Sequence, residues 1–138
     1  MDQSPSPAKV VFGCVANAGR SQMAAAFFNR FADETRAFAV SAGTHPEKTV
    51  HPEVVDVMRE EGIDLSGASP QYLSTDLCRG AHMLITMGCG DECPLVPCLE
   101  RDDWPLEDPK GQPIERVRQI RDEIRKCVKA LIKERQWG

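Results

Sequence analysis

The stretch Val10-Val11-Phe12-Gly13-Cys14-Val15-Ala16-Asn17-Ala18-Gly19-Arg20-Ser21-Gln22-Met23-Ala24 decides how the rest of the chain is read. Lys9 to Gly13 is β-branched and apolar and reads as a buried strand. Ala16 to Gly19 is a loop of small residues. From Arg20 onward, Met23, Ala24, Phe27, Phe28 and Phe31 recur at helical spacing, so one helix face packs on a sheet. A strand that turns tightly into a helix directs several backbone N–H groups at one point, a natural seat for an anion. Cys14 opens that loop and Arg20 closes it, with five residues between them. A guanidinium offers a planar fork to two oxyanion oxygens, which an ammonium cannot match. The helix N-terminus, the loop amides and Arg20 together favour a thiolate at Cys14. Ser21 can donate a hydrogen bond to that sulfur, and Asn17 can hold the loop open through its backbone. The expected anion-binding set is therefore Val15, Ala16, Asn17, Ala18, Gly19 and Arg20, with Cys14 as a nucleophile aimed at a phosphate-like centre. A buried strand-end thiol would account for Cys14 alone, but not for Arg20 and Ser21 at this spacing.

Working outward, Phe38 to Val40 reads as a second strand closed by Ser41-Ala42-Gly43. His51-Pro52 starts a helix with Val54, Val57 and Met58 on its apolar face and Gly62 as its stop. His82 to Thr86 is a third strand. Met87 to Pro94, a loop or short helix, carries Cys89 and Cys93, and Leu95 to Cys98 is a short fourth strand. Asp102 to Pro113, rich in Asp, Pro and Gly, is an exposed loop. A last helix runs from Ile114 to Lys133, with Val117, Ile120, Ile124, Cys127, Val128 and Leu131 as its stripe. Strands alternating with helices predict an α/β chain: a single three-layer domain over residues 9–138, built on a four-stranded parallel sheet with helices on both faces. Residues 1–8 are expected to be a flexible tail. Ligands of such sheets bind beyond the carboxyl ends of the strands. Cys14, Gly43, Cys89 and the 102–113 loop all fall on or near that rim.

The 138 residues suit one core. Apolar residues at 41% and charged residues at 28% are an ordinary globular balance, and a net charge of −4 argues against nucleic-acid binding. The polar N-terminal residues lack the apolar centre of a signal peptide, and no run approaches a membrane span. A cytoplasmic chain with reduced thiols is expected. Six cysteines, at 14, 78, 89, 93, 98 and 127, are then for catalysis or redox exchange rather than a disulfide framework. No metal site is expected, because Cys89 and Cys93 are not followed by a second Cys or His pair at zinc spacing. His45, His51 and His82 also lack ligand spacing. Cys78 and Cys127 read as core thiols, while Cys98 could compete in disulfide exchange.

Cys14 through Met23 resembles the active-site loop of low-molecular-weight protein tyrosine phosphatases, and still more that of the arsenate reductases sharing their fold. The likeness covers nearly the whole chain. It includes Asn17, Arg20-Ser21-Gln22-Met23-Ala24, Ser41-Ala42-Gly43, Cys89 with Cys93-Pro94, Trp104, Asp108-Pro109 and Val117 to Ile124. The resemblance implies Asp108 as the acid that protonates a leaving oxygen. It also implies that Cys14 attacks arsenate, with phosphate and sulfate as mimics. Cys89 would then attack Cys14, releasing arsenite, and Cys93 would move the disulfide outward. The implied partner is an external thiol reductant, thioredoxin first. Glutaredoxin or a small thiol such as glutathione or mycothiol is the alternative, and would leave Cys89 and Cys93 as bystanders. No tightly bound cofactor is implied, and the chain is expected to be a monomer. A phosphatase working with Cys14, Arg20 and Asp108 alone is the rival reading. Gly88 and Gly90 ease movement of the later thiols, and the Cys89–Cys93 segment resembles a short variant found in actinobacterial-type relatives. Four departures stand out: Ala16 where the family often has Gly, Gly19 where many members have Cys, Ala25 where some carry a Glu that helps hold potassium, and Lys110 where phosphatases carry an aromatic. The scarcity of aromatics outside the core favours a small, naked oxyanion over phosphotyrosine.

Overall fold

The computed structural model describes residues 6–87 and 100–138. Cys89, Cys93, Cys98 and the expected strand over Leu95 to Cys98 therefore lie outside the described residues. The elements run β1 (Ala8–Cys14), α1 (Arg20–Phe31), β2 (Ala37–Gly43), α2 (Pro52–Arg59), α3 (Thr75–Cys78), β3 (Met83–Thr86), β4 (Glu100–Asp103) and α4 (Ile114–Arg135). The strands form one sheet in the order β2-β1-β3-β4, and every pairing is parallel. This is the expected α/β architecture, with β1 at an inner position where its uninterrupted apolar run belongs.

Side chains of β1 divide by parity, as the two-residue strand repeat requires. Val10, Phe12 and Cys14 enter the larger core with Met83 and Ile85 of β3, against Met23, Phe27 and Phe28 of α1, Val54, Val57 and Met58 of α2, and Ile120, Ile124 and Val128 of α4. Val11 and Leu84 enter a smaller core on the opposite face, with Ala42, Leu73 and Cys78. That second layer is thin. Its only described helix is the single turn α3, which sequence periodicity cannot announce; Ser74 caps it by accepting from the Leu77 N–H at 3.0 Å.

Two expectations are corrected. Asp102 does not open the loop before α4: it lies with Asp103 in β4, paired with Ile85 and Thr86. All four residues of β4 are exposed, so this edge strand shows no apolar alternation, and its charges suit an unpaired edge. Cys127 is not a core thiol: it is half-buried beside Asp102, Trp104, Leu131 and Glu134, whereas Cys78 is buried as expected. Burial pushes both thiols up from the ordinary cysteine range. Trp104 packs on Phe12, with ring centroids 5.6 Å apart, which gives it a core function.

Candidate active site

The loop expected from the sequence lies between β1 and α1, at the carboxyl end of the inner strand. Its construction explains why it can hold an anion. The carbonyls of Cys14, Val15, Ala16 and Ala18 accept hydrogen bonds from the N–H groups of Thr44, His45, Glu47 and His51, at 2.8 to 3.0 Å. The Asn17 carbonyl accepts from the Gln22 carboxamide at 3.0 Å, and the Gly19 carbonyl from the Met23 N–H at 3.0 Å. Every carbonyl from 14 to 19 thus has a partner. The brace that turns these acceptors outward is the segment following β2, which no residue pattern had marked.

That brace requires a close approach. A Cβ built on Gly43 would stand 2.5 Å from the Val15 carbonyl oxygen and 2.9 Å from the Asn17 nitrogen. The Gly19 position is also closed: a Cβ there would lie 2.9 Å from Cγ of Pro109. The Pro109 ring sits over Gly19, so the loop carrying Asp108 rests on the anion loop at a place where a larger residue would collide.

Cys14 is 2% exposed, and its sulfur accepts the Asn17 N–H at 3.2 Å. Ser21 Oγ lies 2.8 Å from the same sulfur. Which of the two donates follows from the next residues in the chain of contacts. The Gln71 N–H, which can only donate, meets Oδ1 of Asn17 at 2.9 Å, so Asn17 presents its nitrogen to Ser21 Oγ at 2.8 Å. Ser21 therefore accepts from Asn17 and has its own proton for the sulfur. This arrangement gives the sulfur two donors, the Asn17 N–H and the Ser21 hydroxyl. Asn17 holds it together at φ 51°, in the left-handed region that asparagine tolerates better than most side chains.

Arg20 is 8% exposed. Its Nη1 donates to the Leu106 carbonyl at 2.9 Å, and its Nη2 lies 3.8 Å from Oδ2 of Asp108. The fold thus brings Asp108 from the far side of β4 to the arginine of the loop. Asp108 is 55% exposed at its side chain, and its Oδ1 accepts the Lys110 N–H at 3.0 Å. It opens a local turn and faces the site at once. Lys110 reaches Glu47 Oε1 at 3.3 Å, joining the acid loop to the brace. The expected residues Cys14, Val15, Ala16, Asn17, Ala18, Gly19, Arg20, Ser21 and Asp108 thus gather at one rim. Among aromatics, Tyr72 pairs with Gly43 through its backbone but is 63% exposed. Among the described residues, no group of three or more His, Cys, Asp and Glu is disposed to hold a metal ion. No helix of the described residues is long and apolar enough to cross a membrane.

Sequence reasoning missed Gln22, Gln71 and the 44–51 brace. A signal for Gln22 existed: the first turns of α1 are buried throughout, so a carboxamide there needs a partner.

Comparison with known proteins agrees with this geometry. Residues 9–136 match the family described as low molecular weight phosphotyrosine protein phosphatase. A Halobacterium salinarum protein described as a putative arsenate reductase is 44% identical over 133 residues, covering 94% of each chain. The Corynebacterium glutamicum thioredoxin-dependent arsenate reductase superposes with a TM-score of 0.82 at 38% identity. The alignment covers 98% of this chain but only 64% of that one. An arsenate reductase in a phosphate-binding state gives a TM-score of 0.80 at 32% identity, over 92% of this chain and 98% of the other.

Proposed function

The chain belongs to the low-molecular-weight phosphotyrosine protein phosphatase family, and from that premise we propose that it is a cytoplasmic arsenate reductase acting in arsenic detoxification. The observation that carries the reading is the loop around Cys14. All its carbonyls are engaged, Ser21 donates to the sulfur, Arg20 closes the ring, and near relatives over the same length are described as arsenate reductases.

In the first step the Cys14 thiolate attacks arsenic(V), forming a sulfur–arsenic bond. An oxygen leaves as water with the proton of Asp108, the residue beside Arg20. The loop amides and Arg20 hold the remaining oxygens. In the second step the Cys89 thiolate attacks the Cys14 sulfur. The sulfur–arsenic bond breaks, its electron pair stays on arsenic as arsenite, and a Cys14–Cys89 disulfide forms. In the third, Cys93 attacks Cys89, which frees Cys14 and leaves a Cys89–Cys93 disulfide. An external dithiol, thioredoxin in preference to glutaredoxin or a small thiol, returns the two electrons. The Corynebacterium relative's thioredoxin dependence and the two thiols in this sequence support that choice. The enzyme acts as a monomer. Phosphate and sulfate occupy the loop as mimics.

The test is arsenate turnover with thioredoxin, against glutaredoxin plus a small thiol, in the native chain and in Cys89→Ser and Cys93→Ser. Each variant should lose thioredoxin-coupled turnover while keeping phosphate binding. Native rates in both would overturn the relay. Full activity of Cys89→Ser on a phosphomonoester, with no arsenite formed by the native chain, would establish the phosphatase reading instead.

A further inference from the structure

Ala25, where the family resemblance would place a cation-holding Glu, is buried among apolar residues of the main core. The oxygens beneath the loop are also already engaged. Nε2 of Gln22 meets the Asn17 carbonyl at 3.0 Å, Asn17 Oδ1 at 3.3 Å and the Ser69 carbonyl at 3.4 Å. Nε2 of Gln71 meets the Ser41 carbonyl at 2.8 Å. Gln22 itself is 6% exposed, so its carboxamide is enclosed with these acceptors. Its orientation is not a matter of choice, since two of its three partners are backbone carbonyls and can only accept. A cation placed there would face N–H hydrogens and lack a carboxylate. The residues present do not fit a monovalent ion.

We propose that Gln22 is a positioning residue whose carboxamide N–H₂ supplies, from within the chain, the positive end that holds these oxygens together, so that the loop binds its anion without a monovalent cation. Gln22 grips Asn17 at both its carbonyl and its side chain, at the left-handed residue of the loop. Asn17 in turn donates to Ser21, and Ser21 contacts the Cys14 sulfur. Removing the donor leaves buried acceptors facing each other next to Asn17, whose backbone sits in the left-handed region. The proposal rests on the oxyanion-loop reading of the same site, but its readout requires no reduction of arsenate.

The probe is inorganic phosphate, measured by its protection of Cys14 against iodoacetamide with the labelled peptide identified by mass spectrometry. Buffers carry tetramethylammonium, sodium or potassium at one ionic strength of about 0.1 M, which fixes electrostatic screening. The native chain should show the same phosphate protection in all three, within about twofold. Gln22→Glu, of nearly the same shape, turns the donor into a carboxylate among three oxygens. Its protection should weaken roughly tenfold or more in tetramethylammonium and recover in potassium or sodium. A structural role alone would not restore binding on adding a cation. Three results overturn the proposal: native binding that depends on potassium, Gln22→Glu binding like the native chain without a metal cation, or a folded Gln22→Glu that neither cation restores. If circular dichroism shows Gln22→Glu unfolded, Gln22→Met decides. It should bind phosphate weakly in every buffer, and native-like binding overturns the proposal. A failed arsenate assay would leave all these readings intact, so the two proposals fail separately.

Discussion

Gly43→Ala should damage anion binding more than any single methyl added elsewhere on the rim. The added Cβ would lie 2.5 Å from the Val15 oxygen, 2.9 Å from the Asn17 nitrogen and 3.0 Å from the Asn17 Cβ. These are backbone atoms and a short side chain, so no flexible group can swing aside. Reaching an ordinary separation of about 3.5 Å requires the loop and the end of β2 to part by roughly 1 Å. The same movement pulls at the Thr44 to Cys14 and His45 to Val15 hydrogen bonds, which begin one residue later. A misplacement of about 1 Å in a positioning element costs on the order of 100-fold, or about 2.7 kcal/mol, in the oriented step. The assay is phosphate affinity by calorimetry together with arsenate turnover, with thermal melting to separate loop damage from unfolding. Gly67→Ala is the control, since a Cβ there meets nothing within 4 Å and Gly67 is not at positive φ. Phosphate affinity of Gly43→Ala within about twofold of native would refute the braced-loop account.

Asp108→Asn keeps the turn but supplies no proton, and should slow adduct formation about 100-fold or more while phosphate affinity changes little; equal loss of both would show that Asp108 binds rather than protonates. Lys110→Ala removes the contact with Glu47 that ties the acid loop to the brace. An exposed pair of this kind is worth up to about 1 kcal/mol, so kcat should fall no more than about fivefold, with KM nearly unchanged, and a larger rise in KM would place Lys110 on the substrate instead. Glu60, hydrogen-bonded by Arg118 and Arg121, has its carboxyl held down to about 2 from 4.5. A folded pKa below the unfolded one stabilises above the unfolded value, and that contribution disappears as pH falls from about 4.5 through about 2. The melting-temperature advantage of the native chain over Glu60→Gln should be full at neutral pH and close near pH 2, and a gap that does not vary with pH would be inconsistent with this pairing.

The anion loop was legible because its chemistry is carried by side chains close in sequence: a thiol, a guanidinium and a hydroxyl at fixed spacing between a strand and a helix. The brace was not, because it works through backbone N–H groups from Thr44 to His51, where the identity of the side chain is almost irrelevant. Gly43 carried half a signal, as the end of a Ser-Ala-Gly run. The reason it must be glycine, a backbone approach from another segment, is a tertiary fact. The third and fourth strands show the same limit. Met83 to Thr86 is buried and was readable, whereas Glu100-Arg101-Asp102-Asp103 forms an edge strand with no face to hide, and its charges imitate a loop. The Gly19 departure became intelligible only once Pro109 was found over it.

Arg20 explains why the anion site and the acid loop cannot be treated as separate parts. Its guanidinium has five donors in one plane, and one of them is engaged with the Leu106 carbonyl, two residues before Asp108. Another faces the Asp108 carboxyl at 3.8 Å, longer than a hydrogen bond. The donors left over are those that a bound oxyanion can take. Pro109 seated on Gly19 and Lys110 paired with Glu47 hold the same loop at two further points, each reaching a different part of the anion loop or its brace. A change at any of the three attachments therefore alters where the proton donor stands relative to the Cys14 sulfur. The Arg20 attachment differs from the others because it also competes for the donors that bind the anion. Substitution of Pro109 should then act mainly on the acid-dependent step, whereas substitution of Arg20 must act on binding and on protonation together.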